Sequence, residues 1–114
     1  MNREQMLVQA GSVPLMQVGE GIHRRVLGHD ADLMMVEVRF AKGAVGALHN
    51  HPNRQVTYVA SGKFEVTIVH ESTVLRAGDS FFVPPSAEHG VVALEGGTLV
   101  DVFSPARGDF LGPA

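Results

Sequence analysis

Apolar and polar side chains alternate at period two along residues 34–40, with Met34, Val36, Val38 and Phe40 on one side and Met35, Glu37 and Arg39 on the other. Successive side chains of an extended chain leave opposite faces, so this stretch predicts a strand with one core face and one mostly wet face. Residues 63–69 repeat the pattern, with Phe64, Val66 and Ile68 opposite Lys63, Glu65 and Thr67. Shorter runs at 56–60, 73–75, 80–83, 90–94 and 98–103 predict further strands, and 15–26 holds one or two short edge strands. No stretch carries an amphipathic helix of three turns, while thirteen glycines and six prolines punctuate the chain at turn spacing. The pattern predicts an all-β chain whose strands form a two-sheet sandwich or barrel of the jelly-roll kind. Residues 33–104 form the barrel, 12–28 supply edge strands and 105–114 form a tail.

At 114 residues this is one domain. A barrel of this length buries roughly 65% of the surface its unfolded chain exposes, so a homodimer is expected. The formal net charge of −3, with both signs interspersed, leaves no basic stripe to track phosphates, and nucleic acid is not an expected partner. The first ten residues carry Arg3, Glu4 and Gln5 without an apolar run, which fits neither a signal peptide nor a membrane span; a cytoplasmic location is the default. There are no cysteines, so a transition-metal site must use His, Gln or carboxylate.

Four such residues have a suggestive spacing. His49 and His51 are two apart and Gln55 keeps their parity, so on one extended segment all three side chains leave the same face. His89 opens the predicted strand at 90–94, which can lie opposite the pair. His23, His29 and His70 have no such company and are expected at the surface or hydrogen-bonded in the core, not as ligands. Three imidazoles and an amide oxygen would leave the charge of a divalent ion uncompensated, favouring anionic substrate groups and Lewis-acid chemistry. The donor set suits Fe, Ni, Zn, Co or Mn without selecting among them. In the strand at 98–103, Leu99, Asp101 and Phe103 share one face and Val100 and Val102 the other. Facing inward, Asp101 is a candidate general acid or base; its other expected state is a pair with an arginine at the barrel rim. Val100 and Val102 then offer a dimer contact. Pro105 stiffens the exit from this strand and can fold Arg107 over the mouth, where a guanidinium matches a carboxylate bidentately. Phe103 is core or a stacking surface for a sugar, and Tyr58 and Arg54 are further candidates for the pocket lining.

The spacing Gly43, His49, His51, Gln55, Gly62 resembles the first motif of the cupin superfamily, with Gln where Glu is usual. Gly78, Pro84 and His89 match the second motif, with Ser86 and Ala93 replacing a Gly and an Asn. Nearly the whole chain is similar to the small pectin-degradation cupins of the KdgF type. The resemblance is carried by residues 18–21, 33–38, 49–62 and 78–85, by His89-Gly90, and above all by Asp101-Val102-Phe103-Ser104-Pro105 with Arg107, Asp109 and Phe110. In that family the Gln is itself typical, while Asn53, Arg54 and Gly108 are local departures. The resemblance implies a cupin-type jelly-roll barrel of two antiparallel sheets. It also implies a metal-dependent enzyme that converts 4,5-unsaturated monouronates from pectin or alginate into the linear 5-keto-4-deoxyuronate. In those roles His49, His51, Gln55 and His89 hold one divalent metal, Asp101 moves protons, Arg107 holds the substrate carboxylate and Phe103 packs on the sugar. A cupin dioxygenase, or a non-catalytic metal- or sugar-binding cupin, is compatible with the same motifs.

Overall fold

A computed structural model describes residues 6–111 and is built almost entirely of antiparallel strands. In chain order they are β1 (Met16–Gly19), β2 (Ile22–His29), β3 (Met34–Phe40), β4 (Val45–His49), β5 (Arg54–Ile68), β6 (Glu71–Arg76), β7 (Ser80–Val83) and β8 (His89–Ser104). Short 3-10 turns lie at Ala10–Ser12 and Gly108–Leu111. Among the described residues no helix is long and apolar enough to cross a membrane.

The two long strands make the barrel. The first half of β5 pairs with the end of β8, Gln55 opposite Phe103 and Thr57 opposite Asp101, while its second half pairs with the start of β8, Phe64 opposite Ala93 and Ile68 opposite His89. One sheet therefore runs β1-β2-β3-β8-β5-β7 and the other β4-β8-β5-β6, with β5 and β8 passing from one to the other. Both bend at glycines. A Cβ on Gly62 would lie 2.7 Å from the Gly96 carbonyl oxygen, and one on Gly97 would collide with Ser61, so only hydrogen lets the two backbones touch at the corner. Residues 56–60 and 63–69, and likewise 90–94 and 98–103, are thus halves of single bent strands, where the sequence suggested separate ones. Nor is β2 an edge: it lies between β1 and β3 and extends to His29.

The alternation predicted for β3 holds throughout: Met34, Val36, Val38 and Phe40 are buried with Val59, Phe64, Val66, Leu99 and Phe103 in one core. The opposite face of the same sheet is also apolar. Met35, Val102, Val56 and Phe82 stand in register across β3, β8, β5 and β7, with Tyr58 beside them, and Met35, Val56, Tyr58 and Phe82 are exposed. Tyr58 and Arg54 therefore point away from the barrel interior: parity with Gln55, which is buried, sends them outward. The segment after Ser104 is no loose tail up to Leu111, because its 3-10 turn folds back and sets Phe110 against the core. Residues 112–114 of the expected tail lie outside the described residues.

Candidate metal centre

His49 closes β4 and His89 opens β8, and the two are direct partners across that strand pair. His51 is not on a strand with them. It sits in the loop between β4 and β5, and Gln55 follows on β5, so the three residues expected on one extended segment come from a strand, a loop and a second strand. The loop is pinned from both sides. The Ser86 N–H donates to the His51 carbonyl at 2.8 Å, and the Asn53 amide donates to the Pro105 carbonyl at 2.8 Å. Ser86 takes a φ of +64°, the left-handed region that the usual glycine of this turn supplies without strain. Asn53 ties the His51 loop to the segment leading to Arg107.

One imidazole nitrogen from each of His49, His51 and His89 lies within 4.8 Å of the others. Their outward nitrogens face backbone oxygens: Nδ1 of His49 donates to Ala47 at 2.8 Å and Nδ1 of His89 to Ala87 at 2.9 Å. These bonds fix the tautomer and leave each Nε2 as a bare lone pair, the arrangement seen behind metal-bound histidines. Nε2 of His89 is buried and has no hydrogen-bond partner among the described residues.

At His51 both nitrogens face oxygens, the Asn53 carbonyl at 3.1 Å from Nδ1 and Gln55 Oε1 at 3.0 Å from Nε2. A neutral imidazole has one proton and cannot satisfy both. Full protonation is opposed by burial, which lowers the pKa of His51 and takes that of His89 down to about 4. A cation shared by His51 Nε2 and Gln55 Oε1 resolves the conflict. The three histidines therefore fit a divalent metal, with His49 exposed and His51 and His89 buried, and the Gln55 amide oxygen lies beside them. His23, His29 and His70 are exposed and take no part among the described residues.

Beside the imidazoles is a small cavity of about 110 Å³ lined by His49, Gln55, His89, Asp101, Arg107 and Phe110 among others. Asp101 faces inward on the same side of β8 as Leu99 and Phe103, a direction that parity alone left open. Among the described residues it forms no ion pair with an arginine; Oδ1 instead accepts the Thr57 hydroxyl at 2.7 Å. Burial pushes its carboxyl up to about 6, against the lowering effects of the Thr57 hydrogen bond and of Arg107 and His49. Phe103 is 2% exposed, with His51 and Phe110 packed on its ring and the Arg107 guanidinium 5.4 Å from its centroid, so it is a wall of the site more than a free stacking face.

Arg107 does fold back over the mouth, where it forms a two-pronged pair with Asp109 at 3.0 and 2.8 Å. Two guanidinium groups pack on the Phe110 ring, Arg24 at 3.6 Å and Arg107 at 4.3 Å from its centroid. Arg24 and Thr57 were not singled out in the sequence. Thr57 could have been, because it shares the inward parity of Gln55; Arg24 carries no local signal, since only barrel closure brings β2 to the C-terminal turn.

Residues 36–103 match the family model described as a cupin domain. The chain is 48% identical over 100 residues to the pectin degradation protein KdgF of Dickeya dadantii, spanning 86% of this chain and 91% of that one. A solved RmlC-like cupin from Shewanella frigidimarina superposes with a TM-score of 0.88 at 46% identity, over 90% of this chain and 93% of that one. The solved KdgF from Halomonas superposes with a TM-score of 0.82 at 42% identity, over 85% and 90% respectively.

Proposed function

The chain belongs to the cupin family and, within it, to the family of the pectin degradation protein KdgF, and on that premise we propose that it is a metal-dependent enzyme of uronate breakdown. Its reaction is the conversion of 4,5-unsaturated monouronates, from pectin or alginate, to linear 5-keto-4-deoxyuronate. The observation that carries this is the meeting, in one small cavity, of metal-fitting lone pairs, an inward carboxyl and a guanidinium at the mouth.

His49, His51, Gln55 and His89 would hold one divalent ion of Ni, Zn, Fe, Mn or Co. When bound, that ion supplies a Lewis acid with no carboxylate ligand to offset its charge, which favours an acidic sugar. Arg107 receives the uronate carboxylate and orients the ring. Asp101, held at Oδ1 by Thr57, moves the protons. The C1–ring oxygen bond breaks as the C1 hydroxyl gives up its proton and becomes the aldehyde, and the ring oxygen takes a proton and leaves as the C5 enol. That enol gains a proton at C4 and loses its own to leave a ketone at C5, with no net change of atoms. Phe103 and Phe110 wall the cavity and limit the water that enters with the substrate.

The apolar stripe of Met35, Val56, Tyr58, Phe82 and Val102 supports a homodimer through this sheet face, which also carries Val100. A second copy offers the same stripe in return, as a two-fold interface requires.

The test of the proposed reaction is loss of the substrate's conjugated-alkene ultraviolet absorbance under nitrogen, with native and with chelator-treated protein. Acceleration over the spontaneous rate that needs metal and not oxygen is expected. No acceleration by metal-loaded protein, or acceleration only in oxygen, overturns it; the latter result is that of a dioxygenase.

A further inference from the structure

Thr57 is a fully buried polar residue on the inward face of β5, two residues after Gln55 and directly opposite Asp101. A hydroxyl has one proton, and Thr57 Oγ1 donates it to Asp101 Oδ1 at 2.7 Å, since an ionised carboxylate only accepts. What remains on Oγ1 is lone pairs. Gln55 Nε2 meets them at 2.9 Å, with Asp101 Oδ1 a further 3.5 Å contact, so the amide nitrogen is fixed on this side. The amide oxygen is thereby turned toward His51 Nε2 at 3.0 Å.

We propose that Thr57 is a positioning residue of the metal centre: its hydroxyl fixes the orientation of the Gln55 amide, presents oxygen to the ion, and links that ligand to Asp101. This rests on the metal centre described above. It also gives a physical reason for Gln where other cupins carry Glu. A Glu at this position would set a carboxylate oxygen against the Thr57 lone pairs and beside the Asp101 carboxylate, whereas an amide can donate on one side and ligate on the other.

The experiment is titration of metal-free wild type, Thr57→Val and Thr57→Ser with Co(II), read by affinity and by the visible spectrum, with circular dichroism checking the fold. Thr57→Val is expected to bind about 10- to 100-fold more weakly, the usual loss when a group that orients a ligand is removed, and to show an altered spectrum. Thr57→Ser, which keeps the hydroxyl, is expected to restore both. Wild-type affinity and spectrum in Thr57→Val overturn the assignment, and so does equal weakening in both variants, which would mark packing as the cause. Wild-type protein that takes up no Co(II) overturns the metal centre together with this inference. If Thr57→Val does not fold, Gln55→Glu decides: binding no tighter than wild type is expected despite the added negative charge, and clearly tighter binding overturns the proposal.

Discussion

The guanidinium of Arg107 is held in a fork by the Asp109 carboxylate, through Nε at 3.0 Å and Nη2 at 2.8 Å. The geometry with which Arg107 would receive a uronate carboxylate is thus already filled by one from its own chain. Asp109 is the exposed partner, its side chain 63% accessible against 14% for Arg107, and the hydrogen bonds from Arg107 hold its carboxyl below the usual range. With its carboxylate partner exposed to water, the pair is worth on the order of 1 kcal/mol, so a substrate can displace it at modest cost. Replacing Asp109 by Ala is expected to lower KM for the acidic substrate by up to about fivefold with little change in kcat. Arg107→Ala should raise KM strongly. A raised KM in Asp109→Ala would mean that the carboxylate steadies Arg107 and does not compete for it.

Asp101→Asn keeps the shape of the side chain and its place opposite Thr57 while removing the ability to trade a proton. The variant is expected to fold, retain metal and lose activity by at least about a hundredfold, the ordinary worth of a positioned acid or base. Steady-state rates with metal analysis on the same sample check this. Full activity would remove Asp101 from the proton path.

Asp101 and His89 pull stability in opposite directions as the pH falls. The carboxyl of Asp101, raised by burial from 3.8 to about 6, is protonated in the folded chain before the unfolded one, so stability rises as pH falls through that window. The imidazole of His89, lowered by burial from 6.5 to about 4, stays neutral in the folded chain while the unfolded chain takes up the proton, so stability falls over nearly the same window. His49, His51 and Arg107 face His89, and Thr57, Gln55, His49 and Arg107 face Asp101; these neighbours are common to wild type and Asp101→Asn. In chelator-treated protein, Asp101→Asn should therefore lose stability between pH 6 and 4 faster than wild type, by about 1 kcal/mol per pH unit. Urea unfolding at several pH values measures it. Parallel curves for the two proteins would contradict a raised Asp101.

Val56 is exposed at the centre of the apolar stripe, in register with Val102 and Phe82. A lysine there costs the fold little, since the side chain points to solvent in one chain, but two copies meeting through this face would bury like charges. Val56→Lys is expected to shift the sedimentation of the protein from dimer to monomer without loss of secondary structure. An unchanged dimer would place the interface elsewhere.

Much of this arrangement was legible in the residues themselves. Period-two alternation located β3, the turn glycines Gly43, Gly62 and Gly78 all have positive φ, and parity put Leu99, Asp101 and Phe103 on one face, which the closed barrel turns inward. The histidine spacing located the metal-fitting cluster, though by a different route from the one the spacing suggested, since His51 reaches the centre from a loop. What was hidden depends on distant segments. The continuity of β5 and β8 exists because Ser61-Gly62 and Gly96-Gly97 pack together at one corner, and a glycine run otherwise reads as a break. The packing of Arg24 and Arg107 on Phe110 likewise needs the barrel to close before these residues meet. Thr57 was overlooked for another reason: a threonine in a strand reads as ordinary β composition unless its parity is followed from Gln55 to the hydroxyl's partner.

The most direct measurement is a back-titration of chelator-treated protein with a divalent metal, following consumption of the unsaturated uronate under nitrogen at each addition. The rate should rise from the spontaneous value and level off at one metal per chain, with the same end point absent in a His89→Ala variant. A rate that does not depend on metal, or one that His89→Ala shares, would contradict a metal centre built from His49, His51, Gln55 and His89.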